Sequence, residues 1–314
     1  MVRMNTVIAT HGRCELLART LASLAEARRP DGFERVIVIE NGSDSGARRT
    51  CREASGSLPI EYENLSQAGK SRALQKVFDE LQSGFVVLLD DDVRVCPMLF
   101  EVYADAAARH GEDAFFGGPL LIDYERPPPD WLLDYLPFSV KGWQPRDPES
   151  ALRWDRFLGA NMGLFVARIQ KVGGFNPHFG PGAHKRGTDG NPTGQDTEAQ
   201  NRLLSDGARP VYLAEARVWH WVPKERCTPR WALHRLYRMA MSNAMQEQPP
   251  PGPRWFGVPR WMYRRSAQLW WQGHRPLPFL QQPQRFHRKK TFYEWRGRMA
   301  GIRRRTILNG SGAR

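Results

Sequence analysis

Apolar positions in the first third of the chain alternate between two periods. Val36-Ile37-Val38-Ile39 is one unbroken apolar run, and Phe85-Val86-Val87-Leu88-Leu89 is another. Runs this short and continuous read as strands buried on both faces. Residues 6–9 form a shorter run of the same kind, and 58–64 read as one more strand. Between them the spacing changes. Leu16, Leu17, Leu21 and Leu24 recur at helical intervals up to Arg28-Arg29-Pro30. A short helix is expected over about 45–54, and Leu74, Val77, Phe78 and Leu81 mark one face of a helix over 68–81. A fourth helix runs over 97–109, with Pro97 in its first turn. Strand and helix alternating in this way predict an α/β fold, its parallel strands joined by right-handed crossovers.

The alternation stops after Phe115-Phe116-Gly117-Gly118. Residues 122–150 are rich in Pro and Trp and too long for a simple connection, so they are expected to make a structured excursion over the sheet. Residues 157–166 read as a Gly-punctuated strand and Val172-Gly173-Gly174-Phe175 as a turn. The five glycines of 180–194 mark a loop expected to order over bound substrate. Gly194-Gln195-Asp196-Thr197-Glu198 opens a helix, where Asp196 stands at a cap position. Short strands follow at 211–213 and 217–222, the second carrying His220 between Trp219 and Trp221. A helix over 229–245 runs into Gln248-Pro249-Pro250-Pro251-Gly252-Pro253, which reads as a boundary.

Charge changes this picture. The net charge of +13 and pI near 10 imply a polyanionic neighbour: nucleic acid, an anionic membrane surface or a phosphate-rich substrate. The scattered cysteines Cys14, Cys51, Cys96 and Cys227 read as reduced thiols of a cytoplasmic protein. Met1-Val2-Arg3-Met4-Asn5 leads straight into a strand, unlike a signal peptide, and no window approaches the ~20 apolar residues of a membrane span.

The sharpest chemical signal is Asp90-Asp91-Asp92 at the end of a core strand. Three like charges repel, and each is costly to desolvate without a positive partner. A divalent cation answers that need, since hard oxygen ligands suit Mg2+ or Mn2+. The alternative is an acidic turn in solvent. The carboxyl ends of strands in open α/β sheets are where ligands bind, and three such ends carry polar loops: 10–13, 40–44 and 90–92. If the strands are neighbours, the loops converge. Neither GxGxxG nor GxxxxGK[ST] is present, which disfavours a dinucleotide site and a P-loop.

Eight fragments spread along the chain resemble the family 2 glycosyltransferases. Thr10-His11-Gly12-Arg13 is similar to the family's P-T-Y-N-R, Glu40-Asn41-Gly42-Ser43 to its D-N/D-G-S, and Gly69-Lys70-Ser71-Arg72-Ala73-Leu74 to its G-K-x-x-A-L-N. Leu89-Asp90-Asp91-Asp92 resembles its D-x-D, and Gln195-Asp196-Thr197-Glu198 its E-D motif. Gly159-Ala160-Asn161-Met162 with Val172-Gly173-Gly174-Phe175, and Val218-Trp219-His220, resemble the later blocks. The resemblance implies a GT-A fold: a Rossmann-like mixed sheet flanked by helices. It divides the chain into a catalytic domain over 1–247, with a nucleotide-binding half (1–115) and an acceptor half (116–247), and a basic, Trp-rich helical extension over 248–314.

The resemblance also implies roles. Donor binding falls to Thr10, Arg13, Glu40, Asn41, Lys70, Asp90, Asp91 and Asn161, with Asp91, the variable middle position, given no ligand role. Asp92 and His220 would ligate Mn2+ or Mg2+, and Asp196 would be the general base. Glu40 stands where the family has Asp, Gln195 where it has Glu and Gln75 where it has Asn. Arg230-Trp231 is present, but Cys227 occupies the Gln position of the Q-x-x-R-W of polysaccharide synthases, which favours transfer of single sugars. The expected activity is metal-dependent, inverting transfer of a sugar from a nucleotide-sugar, UDP favoured, to a hydroxyl acceptor that lipid-linked substrates would supply. Its enzyme rival is a sugar nucleotidyltransferase, which needs a Gly-rich loop after the first strand. A catalytically dead fold that binds membrane or nucleic acid is the rival from another class.

Beyond residue 253 the composition shifts. Trp255, Phe256, Trp261, Tyr263, Trp270 and Trp271 alternate with Arg254, Arg260, Arg264 and Arg265, and residues 285–314 hold ten Lys or Arg against Glu294 alone. Such a stretch suits peripheral contact with an anionic headgroup layer. It also suits simple packing of its Trp residues with the Arg residues in solvent; a nucleic-acid backbone is the less favoured partner.

Overall fold

The apolar runs become neighbouring parallel strands. A computed structural model describes residues 2–145, 157–180, 182 and 194–311. β1 (Met4–Thr10), β2 (Phe33–Asn41), β3 (Ile60–Leu65) and β4 (Phe85–Asp90) alternate with α1 (Cys14–Ala25), α2 (Ala47–Ala54) and α3 (Lys70–Glu80). Every residue of β1 is buried. The reason lies in the two-residue period of a strand. Ile8, Val36, Val38 and Val87 face a layer with Leu17, Leu21 and Phe100, while Val7, Ile37, Ile39 and Val86 face one with Leu74, Val77 and Phe78. A three-residue strand β5 (Val93–Val95) precedes α4 (Leu99–His110), and Pro97 stands just before this helix rather than inside it.

The second half completes a mixed sheet. It supplies β6 (Ala114–Gly117), β7 (Leu120–Tyr124), the single turns α5 (Asp130–Leu133) and α6 (Phe138–Lys141), and β8 (Asn161–Phe165). Then come α7 (Val166–Lys171), α8 (Gln195–Ser205), β9 (Arg209–Tyr212) and β10 (Val218–Val222). The main sheet has the order β3-β2-β1-β4-β8-β6-β9, with β8 antiparallel to both β4 and β6. A smaller sheet, β5-β10-β7, stands apart from it. The excursion expected from residue 122 thus begins inside a strand, and it returns to it, since Trp143 pairs with Leu120 through two 2.8 Å backbone bonds. The expected ordering loop lies outside the described residues except for Gly180, Gly182 and Gly194.

The remaining elements are α9 (Pro229–Gln246), the hairpin β11 (Arg254–Trp255) and β12 (Val258–Pro259), α10 (Arg260–His274) and α11 (Gln282–Ser311). The described residues group into two compact units. One holds those up to 125, between 137 and 182, and from 194 to 222; the other holds 126–136 and those from 223 onward. The second unit takes in the residues from 223, ahead of the boundary expected at 248, and α9 groups with the C-terminal helices. The cause is close packing of α9 on α11. A Cβ on Gly297 would stand 2.1 Å from the Tyr237 carbonyl oxygen, and one on Gly301 2.3 Å from that of Met241. The unit has its own small core of Ala244, Val258, Met262, Met299 and Ile302, closed by Trp295, whose Nε1 donates to the Met262 carbonyl at 3.0 Å. No helix among the described residues is long and apolar enough to cross a membrane.

Gly301→Leu must push α9 and α11 apart. Overpacking of this kind costs about 1–3 kcal/mol, so thermal unfolding of the variant should begin earlier, and limited proteolysis should cut first in 223–311, with the β1–β4 region still protected.

Candidate active site

The loops after β1 and β2 meet because their strands are paired in register, Thr10 opposite Glu40 and Ala9 opposite Asp90. One carboxamide holds them together. Asn41 Nδ2 donates to the Thr10 carbonyl at 2.8 Å, and the Gly69 N–H donates to Asn41 Oδ1 at 2.9 Å. The His11 ring nitrogen Nδ1 lies against the Asn41 carbonyl. The end of β1, the end of β2 and the start of α3 are thereby fixed to one another. They enclose a cavity of about 160 Å³ lined by Thr10, His11, Arg13, Asn41, Lys70 and Gly182 among others.

The acidic strand end meets a residue from far along the chain. β10 pairs antiparallel with β5, and the register sets His220 opposite Val93, next to Asp92. The Trp221 N–H donates to the Asp92 carbonyl at 2.8 Å, and His220 Nε2 lies 3.3 Å from Asp92 Oδ1. Asp90, Asp92 and His220 each offer a ligand atom, all within 4.8 Å of one another. His220 is buried, and its Nδ1 has no hydrogen-bond partner among the described residues. Two carboxylate oxygens and an imidazole nitrogen form a donor set that Mn2+ accepts readily and Mg2+ accepts through its oxygens. The residues present therefore fit a divalent cation.

Two basic side chains also serve these carboxylates. Arg13 NH1 reaches Asp92 Oδ2 at 2.5 Å, its Nε donates to Asp91 Oδ2 at 3.2 Å, and Lys70 Nζ pairs with Asp90. Burial works against the charge on Arg13, but Asp92, Asp91 and Asp90 outweigh it and hold the guanidinium more firmly protonated. The same balance raises Lys70: burial opposes its charge, and Asp90 and Asp196 more than offset this. Asp91 is fully buried. Burial pushes its carboxyl up to about 6 despite Arg13, with Asp92 adding to the rise, and Thr10 Oγ1 donates to its Oδ2 at 2.7 Å. Asp91 thus anchors Arg13 and Thr10 beneath the site.

Asp196 is not a helix cap. Gly194 occupies that position, and no side-chain cap bond is made there. The carboxylate is instead tucked under Gly159, where a Cβ would stand 2.4 Å from either of its oxygens. Burial raises its carboxyl above the usual range; Lys70 opposes the rise and Asp90 adds to it. The field of the Lys70–Asp90 pair therefore reaches Asp196.

Two expected donor contacts are placed elsewhere. Asn161 is fully buried. Its Oδ1 accepts from Tyr103 OH at 2.8 Å, and its Nδ2 donates to the carbonyls of Pro119 at 3.0 Å and Ala216 at 2.7 Å. It fastens β8 to the connections beside it and turns no polar atom to a ligand. Glu40 is also fully buried. It accepts from the Ser45 N–H at 2.8 Å and from Tyr62 OH at 2.5 Å, so it shapes the loop that follows β2. Gln75 accepts from the Phe175 N–H at 2.5 Å and pins the 172–175 turn to α3. His11, in the cavity wall, was not singled out from the sequence. Its only signal there was its place inside the first strand-end loop.

Comparison with known proteins agrees with this geometry. The sequence matches the description "Glycosyl transferase family 2" over residues 6–167. It is 24% identical over 244 residues to Succinoglycan biosynthesis protein ExoM of Rhizobium meliloti, spanning 75% of this chain and 72% of that protein. It is 33% identical over 76 residues to Glycosyltransferase AglJ of Haloferax volcanii, a match that spans 24% of each chain. Among solved structures, the mannosyltransferase PcManGT from Pyrobaculum calidifontis, in complex with GDP-Man and Mn2+, has a TM-score of 0.54 at 16% identity, covering 100% of this chain and 88% of that one. The mixed sheet is therefore the GT-A fold, and the protein is a glycosyltransferase. The chain belongs to glycosyl transferase family 2.

His220→Ala removes the imidazole from the Asp90–Asp92 cluster. Loss of a residue that merely supports a ligand lowers metal affinity roughly 10–100-fold, so the variant should bind Mn2+ at least that much more weakly in calorimetry. Unchanged affinity would take His220 out of the metal site.

Proposed function

We propose that the protein is a metal-dependent, inverting glycosyltransferase that moves one sugar from a nucleotide-sugar to an acceptor hydroxyl. One observation carries this reading: Asp90, Asp92 and His220 converge to within 4.8 Å beside a cavity walled by Thr10, Asn41 and Lys70. A cation held by Asp92 and His220, with Asp90, would supply electrostatic stabilisation to the departing diphosphate. The chain's own side chains do the rest. Thr10, Arg13, Asn41 and Lys70 orient the donor, with Lys70 and Arg13 placing positive charge near its phosphates. An acceptor hydroxyl is too weak an acid to attack unaided, so a carboxylate must take its proton. Asp196 is the candidate, since burial makes it a stronger base than an ordinary carboxylate. Attack on the face opposite the diphosphate inverts the anomeric centre. The GDP-Man and Mn2+ named for PcManGT support a nucleotide-sugar and a metal of this kind.

The same reading includes peripheral contact with an anionic surface through the C-terminal unit. Phe256 and Gly257 form a two-residue hairpin turn, both at positive φ, where Asn-Gly is the usual choice. A left-handed conformation costs a non-Gly residue roughly 1–2 kcal/mol, yet here it displays a phenyl ring that is 80% exposed. Trp255, Trp261, Trp270 and Trp271 are exposed too, and the Arg260 guanidinium lies 4.9 Å from the Trp255 ring centroid. Aromatic rings beside arginines are the composition of interfacial segments.

The test is release of nucleoside diphosphate from a panel of nucleotide-sugars with and without EDTA. Asp196→Asn should lower turnover by about 100- to 10,000-fold while nucleotide binding persists. Turnover like that of the wild type would refute the assignment. The pH profile provides a separate check. The base form of Asp196 is lost as pH falls through its raised pKa, so kcat/KM should decline on the acid side at a pH above the ordinary carboxylate range, and Asp196→Asn should remove that limb.

A further inference from the structure

The C-terminal unit carries three arginines that have no counter-charge among the described residues. Arg226 lies in the short 3-10 turn Lys224–Cys227, and Arg235 and Arg238 lie one turn apart on α9, hence on one helix face. All three are half-buried. Arg235 Nε is fully enclosed and has no hydrogen-bond acceptor among the described residues. The charges that act on Arg235 are Arg238 and Arg226, and the one that acts on Arg238 is Arg226. No carboxylate among the described residues is paired with them. Glu225 is exposed, and Glu247 faces Arg298 at 3.4 Å. Burial first, and then these like charges, push Arg235 down to about 10. A fold gains nothing from such a cluster alone, because an unpaired buried charge and mutual repulsion both destabilise it.

We infer that Arg226, Arg235 and Arg238 form a binding site for a phosphate-bearing anion. A guanidinium presents a planar fork of N–H donors that matches two phosphate oxygens at once. Neighbouring forks of this kind suit a multiply charged oxyanion, a phosphate dianion or a diphosphate, better than a single carboxylate. The enclosed Nε of Arg235 gains its acceptor when such a group enters. The phosphate can arrive free in solution or on a lipid headgroup, and the chemistry of the site is the same for both. This inference does not rest on the transferase reading, since none of the three arginines belongs to the Asp90–His220 cluster.

The experiment uses the full chain with EDTA present, so that diphosphate cannot bind through a divalent cation. Inorganic pyrophosphate is titrated by calorimetry into the wild type, Arg235→Met and Arg238→Gln. The wild type should bind one pyrophosphate, and each variant should bind it roughly tenfold or more weakly, the effect of losing one charged hydrogen-bond donor. In phosphate-free buffer Arg235→Met should melt at or above the wild-type temperature, because it removes a partnerless buried charge. Pyrophosphate should raise the melting temperature of the wild type and not that of the variant. A second arm co-sediments the proteins with neutral phosphatidylcholine vesicles and with vesicles containing phosphatidic acid. Loss of vesicle binding in both variants assigns the site to a headgroup phosphate; loss of pyrophosphate binding alone assigns it to a soluble anion. Variants that bind both probes as the wild type does would overturn the inference, as would a wild type that binds neither. Should Arg235→Met fail to fold, Arg238→Gln decides the matter by itself.

Discussion

The active site depends on one strand pairing. β10 lies antiparallel to a strand of only three residues, and the register sets His220 across from Val93. Asp92 immediately precedes that partner, and its carbonyl receives the Trp221 N–H. Backbone hydrogen bonds rather than side-chain attraction therefore bring the imidazole to the carboxylates. A shift of one residue would turn His220 to the opposite face. The third strand of this small sheet, β7, holds β10 from its other side. A motif at residue 90 and a histidine at 220 thus become one chemical site.

The electrostatics of the site follow from burial. Three adjacent carboxylates at the end of a core strand would drive one another toward protonation. Arg13 and Lys70, from the loop after β1 and the first turn of α3, oppose this. Asp91, the most enclosed of the three, takes Thr10 and Arg13 as permanent partners, which leaves Asp90 and Asp92 facing His220. Division of labour among three identical residues comes from the neighbours that the turn after β4 brings to each.

The C-terminal unit solves a different problem with little apolar material. Its core is a handful of side chains, and α9 and α11 gain stability by approaching closely at Gly297 and Gly301. Glycine there removes the side chains that would hold the helices apart, so backbone packs on backbone. Trp295 and Tyr263 pack against that core, but several other large aromatic residues do not. Trp255, Phe256, Trp270 and Trp271 stay exposed among arginines.

Much of this was legible in the residues. The apolar runs of β1, β2 and β4 and the helical spacing of α1 and α3 determined an α/β sheet, because periodicity reports which faces are buried. Asp90-Asp91-Asp92 stood out because clustered carboxylates need a charge or a proton to balance them, whereas Asp196 read as a helix cap and drew its expected role from the family resemblance alone. What stayed hidden depended on partners distant in sequence. β5 is too short to carry a period, so its sheet was invisible. Asn161 and Glu40 looked like donor contacts, yet Tyr103, Pro119 and Ala216 enclose the one and Ser45 and Tyr62 the other. A sequence states which polar groups exist; only the packed chain decides which of them are already answered by a neighbour and which still face a ligand.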